Sequence, residues 1–306
     1  MKAIRVHDRD AGIDGLMLED APYPHAAEND VIVKVHAAGF TPGELGWPGT
    51  WTDRAGRDRT PTIPGHEVSG EVVELGLGTT GLTVGQRVYG LTDWTRDGTL
   101  AEYVAVEARN LAPLPATVDH VQAAALPIAG LTAWQALFDH GRLQVGQTVL
   151  IHGAGGGVGS VAVQLAREAG ARVIGTGRER DRKTVLDLGA DAFVDLAAER
   201  FEDAGQVDLV LDVIGGEVLE RSAAVVRPGG TLVAVAAPPK ATPPGVRAVF
   251  FVVEPNRDQL AELARRVHQG RLRPLVGGVY PLSATRQAFR EKTGTPGKVV
   301  IQVADS

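Results

Sequence analysis

The sequence predicts a two-domain α/β protein: a β domain assembled from both ends of the chain and, inserted into it, a doubly wound parallel sheet. Three observations carry this. Short β-branched runs broken by Gly, Pro, Asn and Asp fill the first ~115 residues; from about Asp119 strands alternate with amphipathic helices; and the last apolar run, 298–303, has no neighbouring strand to pair with. A length of 306 residues suits two cores.

The runs at 31–35, 70–75, 86–90 and 101–106 read as strands of a compact, irregular β domain. At 121–140 the apolar spacing becomes helical, and an apolar run, 148–152, a glycine cluster, an amphipathic segment, 160–169, and a second strand, 172–176, follow in turn. Alternation continues through 209–213, 216–226, 231–236 and 248–253, which implies a parallel sheet covered on both faces. Beyond Glu254, helices at 257–269 and 284–291 precede the closing strand, which is expected to return to the N-terminal domain and make it discontinuous. The expected domains are therefore 1–118 with 254–306, and 119–253. Proline-rich 238–244 reads as a loop ordered against a ligand.

A net charge of −6 supplies no positive field for a phosphate backbone or an anionic lipid surface, so neither nucleic acid nor a membrane is an expected partner. No window approaches the roughly 18 apolar residues of a spanning helix, and the start, MKAIRVHDRD, carries charge where a secretory signal carries its apolar run. A cytoplasmic address is expected. The absence of cysteine removes disulfides, thiolate nucleophiles, thiolate-bound zinc and iron–sulfur clusters.

The strongest motif is TVLIHGAGGGVGSVAVQLAREAG, 148–170. A buried strand ends at His152, the chain turns through seven residues that include five glycines, and a helix begins at once. Side chains there would hold the backbone away from a pyrophosphate, while a helix N-terminus offers free N–H groups and partial positive charge. Ala154, Gly156 and Gly159 give the glycine spacing of a dinucleotide site with alanine first. Some 20 residues on, where an NAD site usually places a carboxylate, stand Thr176, Gly177 and Arg178, with Arg180, Arg182 and Lys183 behind them. Guanidinium groups hold a 2′-phosphate, so NADPH is the expected cofactor; Glu179 argues for NAD, and an alternating charge run also suits a solvated helix start.

With these residues in view, the chain resembles a zinc-independent medium-chain dehydrogenase/reductase of the quinone oxidoreductase, or zeta-crystallin-like, family. AAGFTPGEL (37–45), IPGHEVSGEVVELG (63–76), DGTLAEYV (97–104), LPIAGLTAWQAL (126–137), the glycine turn, VDLVLDVIGG (207–216), VRPGGTLV (226–233) and GKVVIQV (297–303) fall in family order. The resemblance implies a GroES-like β domain for substrate, a Rossmann domain for the cofactor with a cleft at their junction, and a homodimer paired through the strand near 246–253. The expected cofactor set is Thr132, Gly156, Gly157, Val158, Gly159, Thr176, Gly177, Arg178, Arg182, Val213, Ala236 and Phe251. Three departures from the family pattern are Thr41 for Asn, Glu44 for Asp, and Thr295-Pro296 before Gly297.

Zinc-dependent relatives carry two cysteines and a histidine; here Thr41 stands at the first cysteine's place, and His66-Glu67 alone is too few ligands for zinc. No metal is expected, and His66 and Glu67 read as structural, closing a hydrogen-bond network. Without a Lewis acid, quinones and activated enones are the accessible substrates, because the charge left by hydride addition delocalises. By family position Thr41 is either a hydrogen-bond donor to the acceptor oxygen or an ordinary strand-end threonine. Trp47 and Trp51, with Trp94 behind them, either wall a pocket for a flat acceptor or pack in the core. Two alternatives to a quinone or enone reductase are an enoyl-thioester reductase and a non-catalytic NADPH-binding protein; against the former, no tyrosine lies between Tyr23 and Tyr89.

Overall fold

The computed structural model describes residues 1–304, so the last two residues of the expected 254–306 span lie outside it. The chain opens on a two-stranded pair, β1 (Lys2–Arg5) with β2 (Met17–Asp20). It then builds a seven-stranded sheet around β3 (Asp30–Gly39), a ten-residue strand buried over most of its length. After the short helix α1 (Pro48–Trp51) come β4 (Glu67–Leu75), β5 (Arg87–Leu91), β6 (Tyr103–Glu107) and β7 (Leu111–Pro113).

Residues 121–140 do not form the single helix their periodicity suggests. They are cut into α2 (His120–Ala124), which Asp119 caps by accepting from the Gln122 N–H at 2.8 Å, and α3 (Pro127–Trp134). Pro127 is the cause, since it has no N–H to continue the ladder and suits a first helical turn. After α3 the helix widens into a π turn over Gln135–His140.

Next come β8 (Thr148–His152), α4 (Gly157–Glu168), β9 (Arg172–Gly177), α5 (Arg182–Asp187), β10 (Ala192–Asp195), β11 (Val207–Asp212), α6 (Gly216–Ser222), β12 (Val226–Ala234) and β13 (Arg247–Phe250). These six strands are all parallel, in the order β10-β9-β8-β11-β12-β13. Counted from β8, that is the 3-2-1-4-5-6 order of a dinucleotide-binding sheet, and the order reverses at β8 and β11.

The chain closes with α7 (Arg257–His268), β14 (Val276–Pro281), α8 (Thr285–Glu291) and β15 (Lys298–Gln302). β15 pairs antiparallel with β3, Ile301 opposite Ala38, so the chain's end completes the sheet its beginning started. Phe289 of α8 stacks on Phe40 at 4.0 Å within that sheet's core. The chain thus divides into two compact units, Met1–Ile128 with Pro255–Ser306, and Ala129–Glu254. The change of unit comes ten residues later than expected, because α2 packs against β3 and β4. Among the described residues no helix is long and apolar enough to cross a membrane.

Candidate active site

In the second unit, the turn after β8 is shaped by its glycines. Gly153 has φ of +72°, a conformation side chains rarely adopt. A Cβ on Gly159 would lie 2.2 Å from the Gly153 carbonyl oxygen and 2.7 Å from the Ala154 Cα, so only glycine lets α4 start this close to the strand end. Gly156 caps α4 without a side chain, and the first helical bond runs from the Ser160 N–H to the Gly156 carbonyl. The N–H groups of Gly157, Val158 and Gly159 are left without a helical acceptor, beside a part-exposed turn at the sheet's switch point. This cradle fits the diphosphate of a dinucleotide.

Most of the other expected cofactor residues lie at the carboxyl ends of the strands. Val213 follows β11, with a methyl 2.7 Å from where a Gly153 Cβ would be; Ala236 lies beyond β12 against Gly215; Phe251 follows β13 and packs on His140 at 4.3 Å. Gly177 ends β9, exposed Arg178 follows it, and Thr132 is buried in α3.

Two side chains point elsewhere. Thr176 is fully buried, and its hydroxyl is taken by His152 Nδ1 at 2.9 Å. Arg182 is spent on Glu179, Glu199 and the Phe193 carbonyl, and lies over the Phe193 ring. The spacing also missed Asp181, whose side chain lies against Gly155 and Gly177, next to the expected ribose position.

In the first unit, two expected pocket residues come together around His66. The Trp47 ring stacks on His66 at 5.9 Å, Trp94 meets His66 edge-on at 5.0 Å, and the two indoles are 5.3 Å apart. Both indoles are half-buried. Trp51 is not part of this group. It is 4% exposed in the apolar core, with its indole N–H donated to the Leu45 carbonyl at 2.8 Å. Trp47 precedes the short helix in extended backbone, so the helical rule that brings residues four apart onto one face does not apply to the pair.

Thr41 is half-buried, and the turn that carries it is held by buried Glu44, whose carboxylate accepts from the Thr41 N–H at 2.9 Å and the Gly65 N–H at 2.7 Å. Burial pushes the Glu44 carboxyl up to about 7, against the two amides that favour its charged form. His66 is 1% exposed and follows Gly65 directly. Burial, with Arg59 adding to it, drives its imidazole down to about 3, so the ring is neutral.

Glu67 is committed elsewhere. One oxygen accepts from the Ile128 N–H at 2.9 Å and the other from the Lys298 ammonium, which also donates to the Phe40 carbonyl at 3.0 Å. Of the places where zinc-dependent relatives hold their metal, only His66 Nε2 is thus open, and among the described residues no three His, Cys, Asp or Glu side chains converge. This donor set does not fit zinc.

A parallel sheet in this order, with a glycine cradle at its switch point and a second, mainly antiparallel β unit, defines a nicotinamide-dependent oxidoreductase. Residues 27–116 match the alcohol dehydrogenase GroES-like domain, and 188–301 match the zinc-binding dehydrogenase family. The chain is 34% identical to the NADPH-dependent alkenal/one oxidoreductase, chloroplastic, of Arabidopsis thaliana over 95% of its length and 76% of that protein's. It is 30% identical to the quinone oxidoreductase of Rattus norvegicus, covering 98% of this chain and 97% of the relative. The solved quinone oxidoreductase from Coxiella burnetii superposes with a TM-score of 0.91 at 30% identity, over 99% of each chain. The chain belongs to the medium-chain dehydrogenase/reductase family, in its quinone oxidoreductase branch.

Proposed function

We propose that the protein is an NADPH-dependent reductase of quinones or activated enones that works without a metal. The observation that carries this reading is the inventory around Thr41 and His66: hydrogen-bond donors and half-buried aromatic rings, but no ligand set for a Lewis acid. Such a site suits an acceptor that delocalises its own negative charge. Bound in the glycine cradle, NADPH would supply the hydride.

In this reading the N–H groups of Gly157, Val158 and Gly159 hold the diphosphate, and Arg178 takes the 2′-phosphate. Thr41 donates to the acceptor oxygen, Trp47 and Trp94 orient a flat ring, and water supplies the proton that completes the product. Relatives named for NADPH and for alkenal/one or quinone substrates support the choice. Asp181 is the one nearby carboxylate that an NAD site would use, so the coenzyme deserves its own measurement. The reading also takes the chain as cytoplasmic and as a homodimer, the dimer supported by β13 at the sheet's edge and by exposed Phe250 and Val252 beside it.

Coenzyme oxidation by the purified protein, with 1,4-naphthoquinone, 2-cyclohexenone and a crotonyl thioester as acceptors, tests it. Turnover of the first two with kcat/KM for NADPH above that for NADH is expected. No turnover of any acceptor would overturn the enzyme assignment in favour of a binding protein. Turnover of the thioester alone would move it to the enoyl-thioester reductases, and a preference for NADH would reverse the coenzyme choice.

A further inference from the structure

Two histidine nitrogens among the described residues are buried without a hydrogen-bond partner, His36 Nδ1 and His66 Nε2. The His36 ring is stacked on His120, 4.4 Å away. His66 is different, because the rings that cover it are two half-buried indoles with no hydrogen bond fixing either. Trp51, tied to the Leu45 carbonyl, shows how this chain pins an indole that belongs to the core.

His152 shows how it satisfies a core histidine. There Ser222 donates to the Val218 carbonyl at 2.6 Å and so must accept from Nε2–H at 3.0 Å, while Nδ1 accepts from Thr176 at 2.9 Å. Both nitrogens are used. At His66 only Nδ1 is, by the Thr92 hydroxyl at 3.2 Å.

That contact favours one tautomer. The Thr92 hydroxyl is buried with His66 Nδ1 as its partner among the described residues, and donating to Nδ1 is the arrangement that satisfies its proton. In that arrangement Nδ1 accepts and the proton sits on Nε2. The unpaired group is an N–H donor on a neutral ring, roofed by aromatic side chains.

We propose that His66 Nε2–H is a second hydrogen-bond donor, beside Thr41, to the carbonyl oxygen of a flat conjugated acceptor, which reaches it when Trp47 and Trp94 shift to flank the ring. The proposal rests on the quinone and enone reading above and assigns a second oxyanion contact to it. NADPH held in the glycine cradle would supply the hydride, whose electron pair would form the new C–H bond at the far carbon of the conjugated system and leave the coenzyme oxidised. The C=C π pair would shift to the bond beside the carbonyl and the carbonyl π pair to oxygen, which accepts the hydrogen bond from Nε2; His66 keeps its proton, and water protonates the resulting anion. A neutral imidazole suits this role because it lends a donor without having to regain a proton each cycle. Arg59 and Asp93 are the charged groups that act on this ring, with opposite sign.

The test compares wild type, His66→Phe and His66→Gln with NADPH and either 1,4-naphthoquinone or 2-cyclohexenone. The phenylalanine variant keeps the aromatic packing and loses the donor. It should lose about 100-fold in kcat, with NADPH affinity unchanged, and glutamine, which restores an N–H near the same place, should recover part of that. Long-range proton–nitrogen NMR on the wild-type protein gives an independent readout and should place the proton on Nε2. Thr92→Val, which leaves the pocket itself intact, should lower kcat by releasing the tautomer. Wild type that turns over either probe while His66→Phe retains its full kcat, or a spectrum with the proton on Nδ1, overturns the proposal. Wild type that turns over neither probe instead overturns the reading beneath it.

Discussion

Lys298 and Glu67 are almost wholly removed from water, with side-chain exposures of 8% and 0%, and each is the other's charge partner. Desolvation of both makes the pair a weak net stabiliser, but the loss of one partner leaves a buried charge unmatched. Lys298→Met should therefore cost about 3–5 kcal/mol of unfolding free energy in urea, and adding Glu67→Gln should recover most of it. A single variant as stable as wild type would show that the pair is not closed in solution. The sequence reads Glu67 as structural, because two candidate ligands are too few for zinc. It did not show Lys298, which lies 231 positions away and meets Glu67 only because β15 returns to β3. Trp47 and Trp51 mark the same limit: composition placed aromatic residues here, but only the helix between them decides which indole faces the core and which faces His66.

At the scale of elements, the glycine turn between β8 and α4 was legible because its requirement is local: a strand end, a tight bend and a helix start within a dozen residues. The structure makes the demand on Gly159 specific. Alanine there would press against the main chain of Gly153 and Ala154, neither of which can yield as a flexible side chain would. Gly159→Ala should weaken NADPH binding at least about tenfold by calorimetry and also lower the melting temperature, because α4 must move off the turn. Unchanged affinity would mean that the cradle is not the diphosphate site. Where the reading of elements failed, competing interactions outside the motif decided. The basic run after β9 promised several arginines for a 2′-phosphate, yet Arg182 is drawn to Glu199 and the Phe193 carbonyl, partners that only the packing of β10 beside β9 brings near. Periodicity over 121–140 reported helix and missed that Pro127 divides it.

Over the whole molecule, the fold class and the return of the C-terminal strand could be read from alternation and from one run without a partner. Buried titratable groups could not, since a histidine in sequence says nothing of its burial. His66 and His152 are held down to about 3 and His120 to about 4, in each case mainly by burial. Their unfolded counterparts titrate near 6.5, so at pH 5.5 unfolding adds about one proton at each. Glu44 works in the opposite sense: raised to about 7 when folded, it already holds a proton at pH 5.5 and releases it on unfolding. Asp212, which burial also pushes up, acts in the same direction as Glu44. His36, lowered mainly by burial, also gains protons, so the histidines against Glu44 and Asp212 leave a net uptake of about one or more on unfolding at pH 5.5. Each such proton lowers stability by about 1.4 kcal/mol per pH unit of acidification, so the protein should weaken steadily from pH 6.5 downward rather than hold constant until the carboxylates titrate. Unfolding calorimetry at pH 5.5 in buffers of different ionisation enthalpy counts these protons directly. His152→Gln should reduce the count by about one, whatever it does to stability itself; an unchanged count would mean that His152 is already charged in the folded protein, and that the network joining it to Thr176 and Ser222 does not form.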